Sequence, residues 1–321
     1  MNIVYLVVPC YNEQEVIDET SRRLVAKLTT LIQADRISAD SRIIFVDDGS
    51  RDLTWRKITE LCIAEPLVTG LRLSRNRGHQ NALLAGLFTA SESADAVISL
   101  DADLQDDIDA IDGFLEKYEE GYDIVYGVRS SRRKDSWFKR NTAQLFYKVM
   151  HILGAEVEYN HADYRLMSRR AVEALKEFGE VNLFLRGIVP LIGFPSARVL
   201  YERGERFAGE SKYPLRKMIS FALEGILSFS IKPIKMIMSL GLLVSAISIA
   251  MLLYFLIGYF VGHTVPGWTS TIVSIWAIGG LQLLSVGVIG EYIGKIYLET
   301  KHRPKFIIDE FIRHETASKD R

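Results

Sequence analysis

Ile3-Val4-Tyr5-Leu6-Val7-Val8-Pro9-Cys10-Tyr11-Asn12-Glu13 opens the chain with a short apolar run that stops in a polar turn. The run from Ile3 to Val8 has the length and branched side chains of a buried strand. The pattern recurs at Ile43 to Val46, Val68 to Leu73, Ala96 to Leu100 and Ile124 to Tyr126. Between these runs, Glu13 to Leu31, Asp52 to Cys62, Gly78 to Ser91 and Ile108 to Tyr118 are patterned as helices. Strands alternating with helices predict an α/β domain whose mainly parallel sheet is linked by crossover helices. In such a sheet, ligands gather at the carboxyl ends of the strands.

Polar clusters fall at those ends: Pro9 to Glu13 after the first run, Asp47-Asp48-Gly49-Ser50 after the second, and Asp101-Ala102-Asp103-Leu104-Gln105-Asp106 after a later one. Asp101 and Asp103 are one residue apart. In an extended segment their carboxylates point the same way and converge on one hard divalent cation, Mg²⁺ or Mn²⁺. Such an ion offsets the charge that builds on a departing diphosphate. Plainer readings stand beside this one: a solvated acidic turn at Asp101 to Asp106, and a turn before an Asp52 helix cap at Asp47 to Ser50. No Gly-x-x-x-x-Gly-Lys-Ser/Thr loop occurs, and no Gly-x-Gly-x-x-Gly follows the first strand. ATPase and dinucleotide readings therefore lack their phosphate cradle.

The chain of 321 residues carries 39 Lys plus Arg against 40 Asp plus Glu, a balance that argues against a nucleic-acid partner. Cys10 and Cys62 are the only cysteines, so a disulfide framework or zinc site is not expected, and the soluble part fits a reducing compartment. The N-terminus shows no secretory signal pattern.

The composition changes near residue 232. Residues 236–261 and 267–290 contain no Asp, Glu, Lys or Arg. Each run is long enough to cross a bilayer, so two transmembrane helices are expected, with a pair of buried core helices as the alternative. Lys232 and Lys235 precede the first run, and Lys295, Lys301, Arg303 and Lys305 follow the second, while the connection at 262–266 has neither Lys nor Arg. Both large ends should then face the cytoplasm. Residues 213–235 mix Met218, Ile219, Phe221, Leu223 and Ile226 with Arg216, Lys217 and Glu224, as an interfacial amphipathic helix or an ordinary surface helix would. Gly279, Gly280, Gly287, Gly290 and Gly294 permit close helix packing in a homo-oligomer. The polar end from His314 to Arg321 is expected to fray.

These motifs together resemble the family 2 glycosyltransferases, in the branch of bactoprenol glucosyltransferases and dolichol-phosphate mannose synthases. The resemblance rests on Val8-Pro9 with Tyr11-Asn12-Glu13, Asp47 to Ser50 and Asp101 to Gln105. It continues through Arg75-Asn76-Arg77-Gly78-His79-Gln80, Tyr126-Gly127-Val128-Arg129, Asp163-Tyr164-Arg165-Leu166-Met167, Gly209 to Tyr213 and Gly290-Glu291-Tyr292-Ile293-Gly294. It implies a Rossmann-like, nucleotide-sugar-binding domain of GT-A type over residues 1–212. The interfacial region 213–235, two spans within 236–297 and a cytoplasmic tail over 298–321 complete the expected layout.

By the same resemblance, Pro9, Tyr11, Glu13 and Asp47 line the nucleoside pocket, with Asp48 and Ala102 in the same donor-binding motifs. Asp101, Asp103 and Gln105 handle metal and diphosphate. Asp163 lies near the anomeric carbon, to orient or assist as a base, although a helix cap or a salt bridge with the nearby Arg165, Arg169 or Arg170 would also explain it. Arg129, Arg132, Arg133, Arg206 and Lys212 are candidates for diphosphate or acceptor phosphate, and Arg132-Arg133-Lys134 reads equally as a lipid-facing basic patch. Gly204 to Lys212 reads as a closing loop or a simple surface turn.

The reaction implied is inverting transfer from a nucleotide sugar, UDP-glucose first, to undecaprenyl or another polyprenyl phosphate. UDP-N-acetylglucosamine, an aminoarabinose donor and GDP-mannose are the alternatives. The enzyme would sit in the inner (plasma) membrane with its catalytic domain and both termini cytoplasmic. A processive synthase would carry a Gln-x-x-Arg-Trp motif, which is absent, and a silent scaffold would not need Asp101 and Asp103.

Overall fold

A computed structural model describes residues 1–129, 161–180, 185–202 and 267–314, with scattered residues between 234 and 257. In chain order the elements are β1 (Val4–Cys10), α1 (Ile17–Gln33), β2 (Arg42–Asp47), α2 (Thr54–Ala64), β3 (Val68–Leu73), α3 (His79–Ser91), β4 (Ala96–Ser99), α4 (Ala110–Glu119) and β5 (Ile124–Arg129). They continue with β6 (His161–Ser168), α5 (Arg169–Lys176), α6 (Leu185–Leu191), β7 (Ser196–Tyr201), α7 (Trp268–Thr300) and β8 (Ile308–Ile312). All five expected strands and all four expected helices are present. The chain forms two compact units, one containing the sheet and one containing α7.

The first unit is built on an eight-stranded sheet in the order β7-β5-β6-β4-β1-β2-β3-β8. β1 runs parallel to both β2 and β4, β2 to β3, and β5 to β7. β6 is antiparallel to its neighbours β4 and β5. Alternation along β1 sends Val4, Leu6 and Val8 to one face, into a buried cluster with Leu24 and Leu28 of α1, Ile58 of α2 and Phe114 of α4. Val7 points to the other face, against α3.

The contact of α3 with the sheet is so close that a Cβ on Gly86 would lie 2.3 Å from Cγ1 of Val7 and 2.8 Å from Cγ2 of Val46. Gly86→Ala should therefore destabilise the domain by about 1–3 kcal/mol through overpacking, despite the better helix propensity of alanine. Urea unfolding measures this, and an unchanged midpoint would show that α3 can lift off the sheet at no cost.

β8 departs from the expectation of a simple tail over 298–321. It pairs antiparallel with β3, matching Gly70 with Ile312 and Leu71 with Phe311. The Ser74 amide donates to the Ile307 carbonyl (3.0 Å), Lys305 Nζ donates to the Phe178 carbonyl (2.6 Å), and the Phe306 ring packs 6.2 Å from that of Phe88. β8 does not alternate, but its exposed Asp309 and Glu310 suit an edge strand, where charged side chains guard the open side.

In the second unit, α7 runs ten residues beyond Gly290, the expected end of the second span. Glu291, Lys295 and Glu299 recur at intervals of four, a spacing of opposite charges that supports helix continuation. One stretch of it, Ile278–Thr300, is long and apolar enough to cross a membrane. Leu283, Val286, Ile289, Ile293 and Ile296 are all exposed, whereas a core helix would bury such side chains. Most of the expected first span and all of residues 213–233 lie outside the described residues, as do Arg132, Arg133, Arg206 and Lys212.

Candidate active site

The strand order reverses at β1, whose neighbours β2 and β4 lead in opposite directions across the sheet. The loops after β1 and β4 therefore diverge and leave a crevice at the carboxyl edge.

On the β1–β2 side, two loops brace each other. The Asn12 amide donates to Ser50 Oγ (3.0 Å), the Arg51 amide to Asn12 Oδ1 (2.9 Å) and the Glu13 amide to Thr54 Oγ1 (2.9 Å). Asn12 adopts φ 55°, a left-handed conformation that asparagine tolerates. Tyr11 is left exposed beside this brace. Buried Asp47 accepts the Ser50 amide (3.2 Å) and faces Arg72 Nε at 3.8 Å. Burial pushes its carboxyl above the ordinary range, and the Ser50 bonds and Arg72 pull it back only in part.

Asp48 points elsewhere. Its two oxygens accept the amides of Arg77 (2.6 Å) and Gly78 (2.8 Å), so it anchors the loop that enters α3. The same approach explains Gly49, which has φ +67° and whose Cβ would fall 2.7 Å from the backbone of Arg75 and Asn76.

Across the crevice, Asp101 follows β4 and is half-buried. Leu104 at φ 57° turns the chain so that the Gln105 amide reaches back to Asp103 Oδ1 (3.2 Å). Ala102 is buried, with its carbonyl accepting Thr20 Oγ1 at 2.7 Å, and Gln105 is buried as well. Behind them Arg129 Nε donates to the Tyr201 hydroxyl (3.2 Å), which donates to Asp106 Oδ1 (2.7 Å). Arg129, expected to meet a phosphate, is thus engaged at the back of the acidic loop in this structure.

Asp163 lies on β6. Its Oδ1 accepts Arg165 Nη2 at 2.7 Å, and its Oδ2 accepts Arg186 Nη2 at 3.2 Å. The neighbouring arginine expected as a salt-bridge partner is therefore present, while the cap of α5 is Ser168. Burial alone would raise the Asp163 carboxyl, but Arg186 and Arg165 outweigh it and hold it down at about 2.

His79, the first residue of α3, stands between the two halves, its Nε2 3.7 Å from Asp101 Oδ1 and 3.7 Å from Asp163 Oδ2. His79, Arg165 and Arg186 were absent from the expected site. The first two lie inside motifs already singled out, so their neighbours gave a signal. Arg186 lies outside every such motif and gave none.

Among the described residues, no three His, Cys, Asp or Glu side chains close around one point. A Mg²⁺ or Mn²⁺ that serves a nucleotide needs only one or two carboxylates, because phosphate oxygens and water complete its shell. Asp101 and Asp103, which lie at a turn after β4 rather than in the extended segment expected, supply that number of carboxylates. Burial, added to the charges of Asp106, Asp163 and Asp103, pushes the Asp101 carboxyl up to about 6 despite His79. This is a surplus of negative charge that a dication would relieve.

Residues 5–176 match the family described as Glycosyl transferase family 2. The chain is 54% identical over 316 residues to the uncharacterized glycosyltransferase YkoT of Bacillus subtilis (strain 168), covering 98% of this chain and 94% of that protein. It is 39% identical to the uncharacterized glycosyltransferase YkcC of the same organism, covering 95% and 93%. Against the bactoprenol glucosyl transferase of Shigella phage SfV it is 43% identical over 307 residues, covering 95% and 97%. The crevice at the sheet switch point, with its paired carboxylates, thus stands in a chain that belongs to glycosyl transferase family 2, and the protein is a glycosyltransferase.

Proposed function

We propose that the protein transfers glucose, with inversion, from UDP-glucose to undecaprenyl phosphate or a related polyprenyl phosphate. The observation that carries this reading is the likeness, along nearly the whole chain, to proteins named bactoprenol glucosyl transferase. The acidic crevice supports the donor half, and the exposed apolar length of α7 supports the lipid half.

In this reading Pro9, Tyr11, Glu13 and Asp47 receive the nucleoside. Asp48 acts one step removed, by holding the Arg77–Gly78 backbone. Asp101, Asp103 and Gln105 hold Mg²⁺ or Mn²⁺, which when bound offsets charge on the departing diphosphate. The acceptor phosphate is already substantially ionised near neutral pH, because its second pKa is about 6. Asp163, held as an anion, is suited to orient the sugar rather than to collect a proton. Arg129, Arg132, Arg133, Arg206 and Lys212 remain the proposed cations for diphosphate or acceptor phosphate.

Two spans, at about 236–261 and 267–290, anchor the chain, with the interfacial segment 213–235 before them and both termini cytoplasmic. Reporters at Arg321 and near Thr264 should then label opposite sides of the membrane, and same-side labelling would overturn the two-span layout. Sugar choice is tested by competition. With undecaprenyl phosphate as acceptor, unlabelled UDP-glucose should suppress labelling from UDP-N-acetylglucosamine or GDP-mannose, and the reverse order of preference would reassign the donor.

A further inference from the structure

Asp163, proposed to stand at the sugar, is attended by two arginines. They differ in kind. Arg165 is two residues along the same strand and its side chain is only 3% exposed, so it is a fixed part of the sheet. Arg186 comes from α6, and its side chain is 38% exposed. Its guanidinium reaches both carboxylate oxygens, with Nη2 at 3.2 Å from Oδ2 and Nε at 3.4 Å from Oδ1. Such a fork fixes the plane of the carboxylate, which a point charge would not. Its base is anchored too, because the backbone amide of Leu185 donates to Gln80 Oε1 at 3.1 Å. Gln80 follows His79, the residue that spans Asp163 and Asp101. One turn of α3 thus touches the acidic crevice through His79 and the carrier of Arg186 through Gln80.

Building on the proposed transfer reaction, we infer that Arg186 is a positioning residue, whose planar fork sets the orientation of the Asp163 carboxylate toward the sugar. Both arginines supply charge, but Arg186 alone reaches both oxygens and supplies the angle. Loss of Arg186 would leave the Asp163 carboxylate held at Oδ1 alone, by Arg165, and less constrained about its side-chain bond. The donor pocket, built from β1, β2 and the β4 loop, would be untouched.

The test uses the full-length protein with UDP-glucose and undecaprenyl phosphate, comparing R186A, R186K and wild type. R186A should lose about 100-fold in kcat, the scale expected for a misplaced catalytic group, with the KM for UDP-glucose unchanged. Added guanidinium ion should restore part of that loss, and R186K should remain impaired because an ammonium offers no fork. Full activity in R186A, full recovery in R186K, or a kcat loss accompanied by weaker UDP-glucose binding would each overturn the assignment. Should wild type itself transfer no glucose to the lipid, the transfer reading fails separately. The ¹³C resonance of the Asp163 carboxyl, identified by its loss in D163N, then decides the matter: it should shift in R186A, and an unchanged resonance would dismiss Arg186 as its partner.

Discussion

Asp103→Asn is expected to reduce turnover by about three orders of magnitude while leaving the unfolding midpoint where it was. The substitution keeps the size of the side chain and an oxygen that can accept the Gln105 amide, so the turn at Leu104 survives. What disappears is one of the two anionic ligands proposed for the metal. Single-turnover assays at saturating Mg²⁺ or Mn²⁺ measure the loss, and near-normal rates would remove Asp103 from the metal site. A linked effect follows from Asp101, whose carboxyl is pushed up to about 6. A carboxyl with a raised folded pKa favours the native state at low pH, and that contribution is lost as pH rises through about 6. Without metal, the protein should therefore lose stability over this range. Added Mg²⁺ or Mn²⁺ should raise the melting temperature more at about pH 7 than at about pH 5, where protons compete for Asp101.

Asp163→Asn is expected to have two effects of separate origin. The carboxylate, held at about 2 against an ordinary 3.8, contributes about 2 kcal/mol to stability at neutral pH. Because the folded pKa is depressed, that contribution is present above the ordinary pKa and is lost as pH falls toward 2. Its removal leaves Arg165 buried without its counter-charge, at a cost of about 3 kcal/mol, which urea unfolding would detect. Turnover should also fall by about 100-fold, since an orienting anion at the reacting centre is lost. A variant that is destabilised yet fully active would reduce Asp163 to a structural ion pair.

The parallel half of the sheet could be read from the sequence because its strands are buried on both faces and are therefore continuously apolar, as in Val4 to Val8 and Ile43 to Val46. The three strands that escaped, β6, β7 and β8, fail that test for different reasons. β6 carries Asp163 and Arg165 into the interior as a mutually neutralising pair, which breaks its apolar pattern. β7 and β8 are edge strands with one side turned outward. The acidic motif could be picked out as well, because its close spacing of Asp101 and Asp103 is visible in the chain. The meeting of His79, Asp163 and Arg186 is not: it joins α3, β6 and α6, and only the sheet order brings them together.

Glucose transfer to the lipid is measured by combining purified protein, radiolabelled UDP-glucose, undecaprenyl phosphate and Mg²⁺ or Mn²⁺, followed by organic extraction. Label should pass into the lipid phase in wild type, and Asp103→Asn or removal of the metal by EDTA should abolish it. A lipid phase that stays unlabelled with UDP-glucose and with every other nucleotide sugar supplied would contradict the account.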